Sequence, residues 1–150
     1  KYIDNFHLTL KFLDDVPVGR EDQINRELQR IGGSTQGFKL RISELGLFSG
    51  RESIRVLWLG LQGDMKSLYK LQEDIETGLQ EMGFDRERRK YSPHVTIAQD
   101  VVLDKEFNEV RKLIDINGLT EITVDRNLLF KSEQVAGKRI YTPVLESKLL

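Results

Sequence analysis

The order strand, helix, strand, strand runs twice along this chain, once on each side of a long helical segment, and each copy opens on the same frame. The frames are His7-Leu8-Thr9, in NFHLTLKF, and His94-Val95-Thr96, in SPHVTIAQ, and they hold both histidines of the chain. Apolar periodicity reads the first copy as a strand over 6–13, a helix over 20–31 presenting Ile24, Leu28 and Ile31, and strands over 38–48 and 54–61 that turn at Ser49-Gly50. The second reads as a strand over 93–99, a helix over 104–116 presenting Phe107, Val110 and Ile114, and strands over 120–130 and 138–146. Between them a helix over 64–82 aligns Met65, Leu68, Ile75, Leu79 and Met82 and stops at Gly83. Gly46-Leu47-Phe48 and Leu128-Leu129-Phe130 end matching strands of the two copies. The duplication predicts two similar lobes, each carrying one triad strand, with a pseudo-twofold axis that sets the triads face to face. The long helix feeds the second triad strand, whereas Lys1 stands only six residues before His7 and there is no initiator Met. An N-terminal strand and helix are therefore expected to be missing from the chain or dispensed with.

Threonine fills seven of 150 positions, so a Thr two residues after both histidines would arise by chance in roughly one such chain in several hundred. In a strand, residues i and i+2 project from one face, and each triad thus offers an imidazole beside a hydroxyl. Imidazole, with an unperturbed pKa of about 6.5, gives or takes a proton near neutral pH. A hydroxyl can hold a phosphate oxygen without adding charge. In-line displacement at phosphorus needs one proton removed from the attacking oxygen and one delivered to the leaving oxygen, and two such strands supply both. A lone strand histidine is ordinarily satisfied by a neighbouring backbone group; two in a matched frame point to chemistry.

Length and charge bound the partner. One domain over 1–150 with a real core is expected. The net charge of −1 gives no basic field for a long duplex, so a small or terminal phosphate ligand fits better than a wrapped polymer. The absence of cysteine excludes disulfides and thiolate metal sites and agrees with a reducing cytoplasm. The longest apolar stretch, Val56 to Leu61, is too short to span a bilayer, and no signal-peptide pattern is visible. A soluble cytoplasmic monomer with no membrane partner is expected.

The two His-x-Thr motifs, their contexts NFHLTLKFL and YSPHVTIAQ, the segment LGLFSGRESIRVLWLGL and the tail SEQVAGKRIYTPV together resemble the two-histidine (2H) phosphoesterases. Within that superfamily the chain is most similar to the bacterial RNA 2′,3′-cyclic phosphodiesterases, also called 2′-5′ RNA ligase-like proteins, and the likeness runs over nearly all of it. The resemblance implies a bilobal α+β fold with antiparallel sheets lining a central cleft and helices packed outside. It implies opening of a 2′,3′-cyclic phosphate on an RNA end or nucleotide, typically to a 2′-phosphate, with no cofactor and no metal. Carried over by position, His7 and His94 are the acid/base pair and Thr9 and Thr96 hold the phosphate oxygens, with His94 activating water and His7 serving the leaving ribose oxygen. One productive charge arrangement of two histidines predicts a bell-shaped pH profile.

One position departs from the family. Relatives often carry Arg or Lys five residues after the second histidine, where this chain has Gln99, which can donate a hydrogen bond but cannot neutralise phosphate charge. Lys11, placed by alternation on the face of His7 and Thr9, reads either as compensation for Gln99 or as a solvated lysine at the rim. Phe48 reads as a platform for a nucleobase or as packing under the hairpin. Arg51, in the same turn, reads as a phosphate contact or a solvated arginine. The run Arg86-Glu87-Arg88-Arg89-Lys90 reads as a surface loop or a weak attractor of RNA backbone, and Trp58 as core rather than a ligand platform. Two other functions stay open: a 2H enzyme acting on a 2′-5′ linkage, ADP-ribose 1″,2″-cyclic phosphate or a cyclic oligonucleotide, and a nucleotide-binding module without turnover.

Overall fold

Alternating apolar residues in FKLRISELGLF and IRVLWLGL build an antiparallel pair, β1 (Phe38–Ser49) and β2 (Ile54–Gly63). The computed structural model describes residues 6–51, 53–113 and 121–150. The apolar phase of β1 slips, from Leu40 and Ile42 to Leu45 and Leu47, and a three-residue step would turn the second pair outward in a regular strand. A bulge corrects this: Ile42 pairs with Leu61 and Leu45 with Leu59, three steps against two, so all four leucine and isoleucine side chains keep one face. Gly60 accommodates the bulge, because a Cβ there would stand 2.8 Å from Ser43 Oγ.

The next strand, β3 (Val95–Val101), adds antiparallel to β2, giving the order β3-β2-β1. Leu8 joins this sheet through a single antiparallel bridge to Val95. The row Leu45–Leu59–Val95 and the neighbouring row Leu47–Leu57–Ala98 form an apolar face on which Leu45, Val95 and Ala98 are buried. These segments, with α3 (Phe107–Leu113), make one compact unit comprising Lys1–Leu10, Lys39–Met65 and Tyr91–Ile122.

A second unit comprises Lys11–Phe38, Lys66–Lys90 and Thr123–Leu150. It holds α1 (Glu21–Gly33), nearly all of α2 (Met65–Glu81), and the hairpin of β5 (Arg126–Val135) and β6 (Lys138–Lys148). Its core is Ile24, Leu28 and Ile31 from one helix and Leu68, Leu71, Ile75 and Leu79 from the other. Each hydrophobic side chain fully removed from water stabilises by about 1.5–3 kcal/mol. The first helix packs on β5 and β6, and Gly32 permits the approach, since a Cβ there would lie 2.5 Å from the Lys148 carbonyl oxygen. The hairpin closes on Ala136 and Gly137, both at positive φ (50° and 80°), a two-residue turn whose twist matches its strands.

The mixed helix-and-strand class with antiparallel sheets is as expected, and both long helices fall within two residues of their expected ends. Four details differ. The strand expected over 6–13 contributes only the Leu8 bridge, and the chain turns at Asp14 with φ 55°. The strand expected over 120–130 is two, β4 (Ile122–Val124) and β5, with residue 120 outside the described residues. The helix expected over 104–116 is described over 107–113, and Ile114 lies outside the described residues. The units do not divide as the sequence copies do, for both triads belong to the first. The physical reason is strand pairing: the second copy's triad strand hydrogen-bonds to the first copy's hairpin and to the first triad.

Candidate active site

The Leu8–Val95 bridge fixes which residues meet across the two triads. In an antiparallel pair the register sum is constant, so His7 lies opposite Thr96 and Thr9 opposite His94. Val95 is buried on the apolar face, and strict alternation along both segments would put the four polar side chains on the other. With ideal sheet spacing, opposite neighbours stand about 5 Å apart and i, i+2 neighbours about 6.7 Å, so the four would form a rectangle with each histidine at a corner diagonal to the other, about 8 Å between Cβ atoms.

The sheet extends this face. Thr96 pairs with Trp58 and Trp58 with Gly46, so one row runs Gly46, Trp58, Thr96, His7. Glycine is required at its end, because a Cβ on Gly46 would collide with Trp58 Cη2 and Cζ2. The indole lies across β1 in that space and, with Phe48, makes an aromatic corner around His94. The Phe48 ring meets the imidazole edge-on with centroids 5.3 Å apart, Trp58 stands 6.3 Å from it, and the two aromatics are 5.5 Å apart. Trp58, expected as core, is half-buried beside His94, and its Nε1 is buried without a hydrogen-bond partner.

Local hydrogen bonds orient both triads. His94 Nδ1 stands 2.7 Å from the carbonyl oxygen of Ser92, which in the neutral ring puts the proton on Nδ1 and leaves the Nε2 lone pair outward. A proline at 93 disfavours a helical Ser92 and stiffens the segment that presents this carbonyl. Tyr91 Oη donates to the Thr9 carbonyl oxygen at 2.8 Å, tying the backbone of the first triad to the residues just before the second. Tyr91, Ser92, Trp58 and Gly46 were not singled out as site residues from sequence. The tetrapeptide YSPH and the pairing of a lone Gly with the only Trp were the available signals.

The four expected ligand-binding residues fare differently. Gln99 shares the face of His94 and Thr96, although five residues is an odd step that strict alternation sends to the opposite side. The bulge at Ile97 re-aims it: Trp58 pairs with Thr96, Leu57 with Ala98 and Val56 with Gln99. Phe48 lies on this face against His94 and Trp58. Arg51 is exposed in the turn where Gly50 N donates to the Ser53 carbonyl at 2.9 Å. Lys11 belongs to the second unit. Its Nζ donates to Glu76 Oε2 at 3.0 Å and to the Asp85 carbonyl at 2.7 Å, and both side chains of the ion pair are 4% exposed. The reading of Lys11 as a strand-face or rim residue fails because no strand continues past Leu8, and its ammonium is committed to a buried carboxylate. The run 86–90 is likewise internally paired in part, Arg86 holding Glu73 at 2.6 Å and Arg89 holding Glu87 at 3.3 Å. Among the described residues no group of three or more His, Cys, Asp or Glu could hold a metal ion, and no helix is long and apolar enough to cross a membrane.

The chain is 31% identical over 96 residues to an RNA 2′,3′-cyclic phosphodiesterase of Geobacillus stearothermophilus, a match to 64% of this chain and 30% of that protein. It thus spans under a third of that relative's length. To the RNA 2′,3′-cyclic phosphodiesterase of Thermotoga maritima it is 30% identical over 143 residues, covering 95% of this chain and 75% of that one. Its fold is similar to the crystal structure of E. coli LigT complexed with 3′-AMP, with a TM-score of 0.78 and 26% identity, over 97% of this chain and 78% of that one. The family model of the 2′-5′ RNA ligase superfamily matches residues 5–134, and on that span the chain belongs to this superfamily, the two-histidine phosphoesterases.

Proposed function

We propose that this chain opens RNA or nucleotide 2′,3′-cyclic phosphates to a 2′-phosphate by metal-independent acid/base catalysis. The observation that supports the reading is the antiparallel Leu8–Val95 bridge, which pairs the central residues of the two His-x-Thr triads. The names of the relatives, RNA 2′,3′-cyclic phosphodiesterases, support the reaction class. In the proposed step a neutral His94, with its Nδ1 proton on the Ser92 carbonyl, takes a proton from water at Nε2. The water oxygen attacks phosphorus from the side opposite the ribose O3′. The P–O3′ bond breaks as protonated His7 delivers its proton to O3′, leaving the phosphate on the 2′ oxygen. Thr9 and Thr96 hydroxyls, on the other diagonal of the rectangle, donate to the two non-bridging oxygens, whose charge grows as the phosphorane forms. The histidines finish in exchanged protonation states and reset through solvent, so rate falls on both sides of a pH optimum. The same reading has the protein working as a soluble cytoplasmic monomer on RNA ends or nucleotides, with no cofactor.

Phosphorus NMR of 2′,3′-cyclic AMP incubated with the protein in excess chelator tests the reaction. A 2′-phosphate product supports it. A 3′-phosphate product would reverse which ribose oxygen leaves, and an unchanged cyclic phosphate alongside intact nucleotide binding would favour a binding module instead.

A further inference from the structure

Beside the rectangle stands one cation that neither the triads nor the family motif accounts for. Arg55 is the bulged residue of β2: Phe48 pairs with Val56, and the next β1 residue, Ser49, pairs with Ile54, so Arg55 has no partner in β1. A regular strand would send its side chain to the face opposite Val56. The bulge instead brings the guanidinium over the Phe48 ring, 5.9 Å from the centroid, and that same ring meets the His94 imidazole at 5.3 Å. Arg55 is exposed and makes no ion pair among the described residues, unlike Arg30, Arg86, Arg89 and Arg126. A desolvated carboxylate partner would consume such a cation; an aromatic face parks it without neutralising it. Its flanking residue Val56 pairs with Gln99, the neutral residue on β3 where charge is expected.

We propose that Arg55 is the phosphate-charge ligand of this site: its guanidinium, held on Phe48, takes the anionic oxygens of a phosphate bound between the triads. The positive charge absent at Gln99 is supplied from the neighbouring strand. This rests on the triads being the phosphate site but not on turnover. Arg51, four residues earlier in the turn, has no comparable contact toward His94 among the described residues.

The test compares wild type, Arg55→Met, Arg55→Lys and, as a control outside the site, Arg26→Met on α1. Affinity for inorganic phosphate and for 2′-AMP is measured by calorimetry from 20 to 200 mM salt, beside kcat/KM on 2′,3′-cyclic AMP. Arg55→Met weakens both ligands at least tenfold and flattens the salt dependence. Arg55→Lys recovers part of the affinity, while Arg26→Met behaves as wild type. Unchanged Trp58 emission and thermal midpoint in Arg55→Met certify that the aromatic corner persists. Wild-type affinity and salt dependence in Arg55→Met would overturn the inference. Wild-type protein that binds 2′-AMP but leaves the cyclic phosphate closed would sink the phosphodiesterase reading, and the affinity comparison would still decide Arg55.

Discussion

Removing either partner of the Lys11–Glu76 ion pair should destabilise this protein far more than removing both. The two side chains are each 4% exposed, with Nζ and Oε2 3.0 Å apart. Lys11→Met leaves a buried carboxylate whose remaining donor is Glu87 N at 3.3 Å and whose Oε1 has no partner. An uncompensated buried charge of this kind costs about 3–5 kcal/mol. Glu76→Leu leaves an ammonium that keeps the Asp85 carbonyl at 2.7 Å, which puts it at the lower end, about 3 kcal/mol. The double variant Lys11→Met/Glu76→Leu fills similar volume with apolar atoms. It frees only the Asp85 carbonyl and Glu87 N–H, which belong to exposed residues that water can reach, so its cost is about 1–2 kcal/mol. The coupling energy of the cycle is therefore at least about 4 kcal/mol in favour of the pair. For a chain of this length each single variant lowers Tm by roughly 6–20 °C. Urea unfolding at pH 7, with m-values checked for two-state behaviour, measures all four corners. Single costs below about 1 kcal/mol that simply add in the double variant would refute the reasoning.

Other perturbations read out the site. Gly46→Ala forces the Trp58 ring from its place over β1, costing about 1–3 kcal/mol; because Trp58 is the only tryptophan, a shift in intrinsic emission with a fall in kcat is the expected pair of results. Tyr91→Phe removes the donor to Thr9, costing about 1 kcal/mol, and lowers kcat several-fold with little change in KM, as steady-state kinetics would show. The hydrogen bond from Arg30, with its charge, holds the Glu27 carboxyl below its usual range. A folded value below the unfolded one means this stabilisation is present above the unfolded pKa and is lost as pH falls through the lower, folded one. Wild type and Arg30→Ala should thus differ slightly in urea midpoint at pH 6 and converge in acid, once Glu27 is protonated in the folded state as well.

Helix positions were legible because burial on one side of a helix leaves a 3.6-residue signature that Ile24, Leu28, Ile31, Leu68, Ile75 and Leu79 carry plainly. The triads were legible as a matched pair. Their arrangement was not, because a repeat in sequence does not state which copy's strand hydrogen-bonds to which hairpin, and here the second copy's strand sits on the first copy's. Strict alternation does not give side-chain direction where a strand is bulged. Gln99 and Arg55 reach the face of His94 only through bulges, and the adjacent apolar pair Ile97-Ala98 was the trace of one of them. Lys11 shows the converse, an expected strand-face lysine whose strand ends before it and whose charge meets Glu76, 65 residues away in sequence. Trp58 and Gly46 could be read together only once register placed them opposite each other.

The most direct test of two-histidine catalysis is single-turnover cleavage of a short RNA ending in a 2′,3′-cyclic phosphate, in chelator, by wild type, His7→Ala and His94→Ala. We predict conversion to a 2′-phosphate end by wild type and a loss of about 10²–10⁴ in rate for each variant, with RNA binding largely retained. Undiminished turnover in either variant would contradict the acid/base assignment of that histidine.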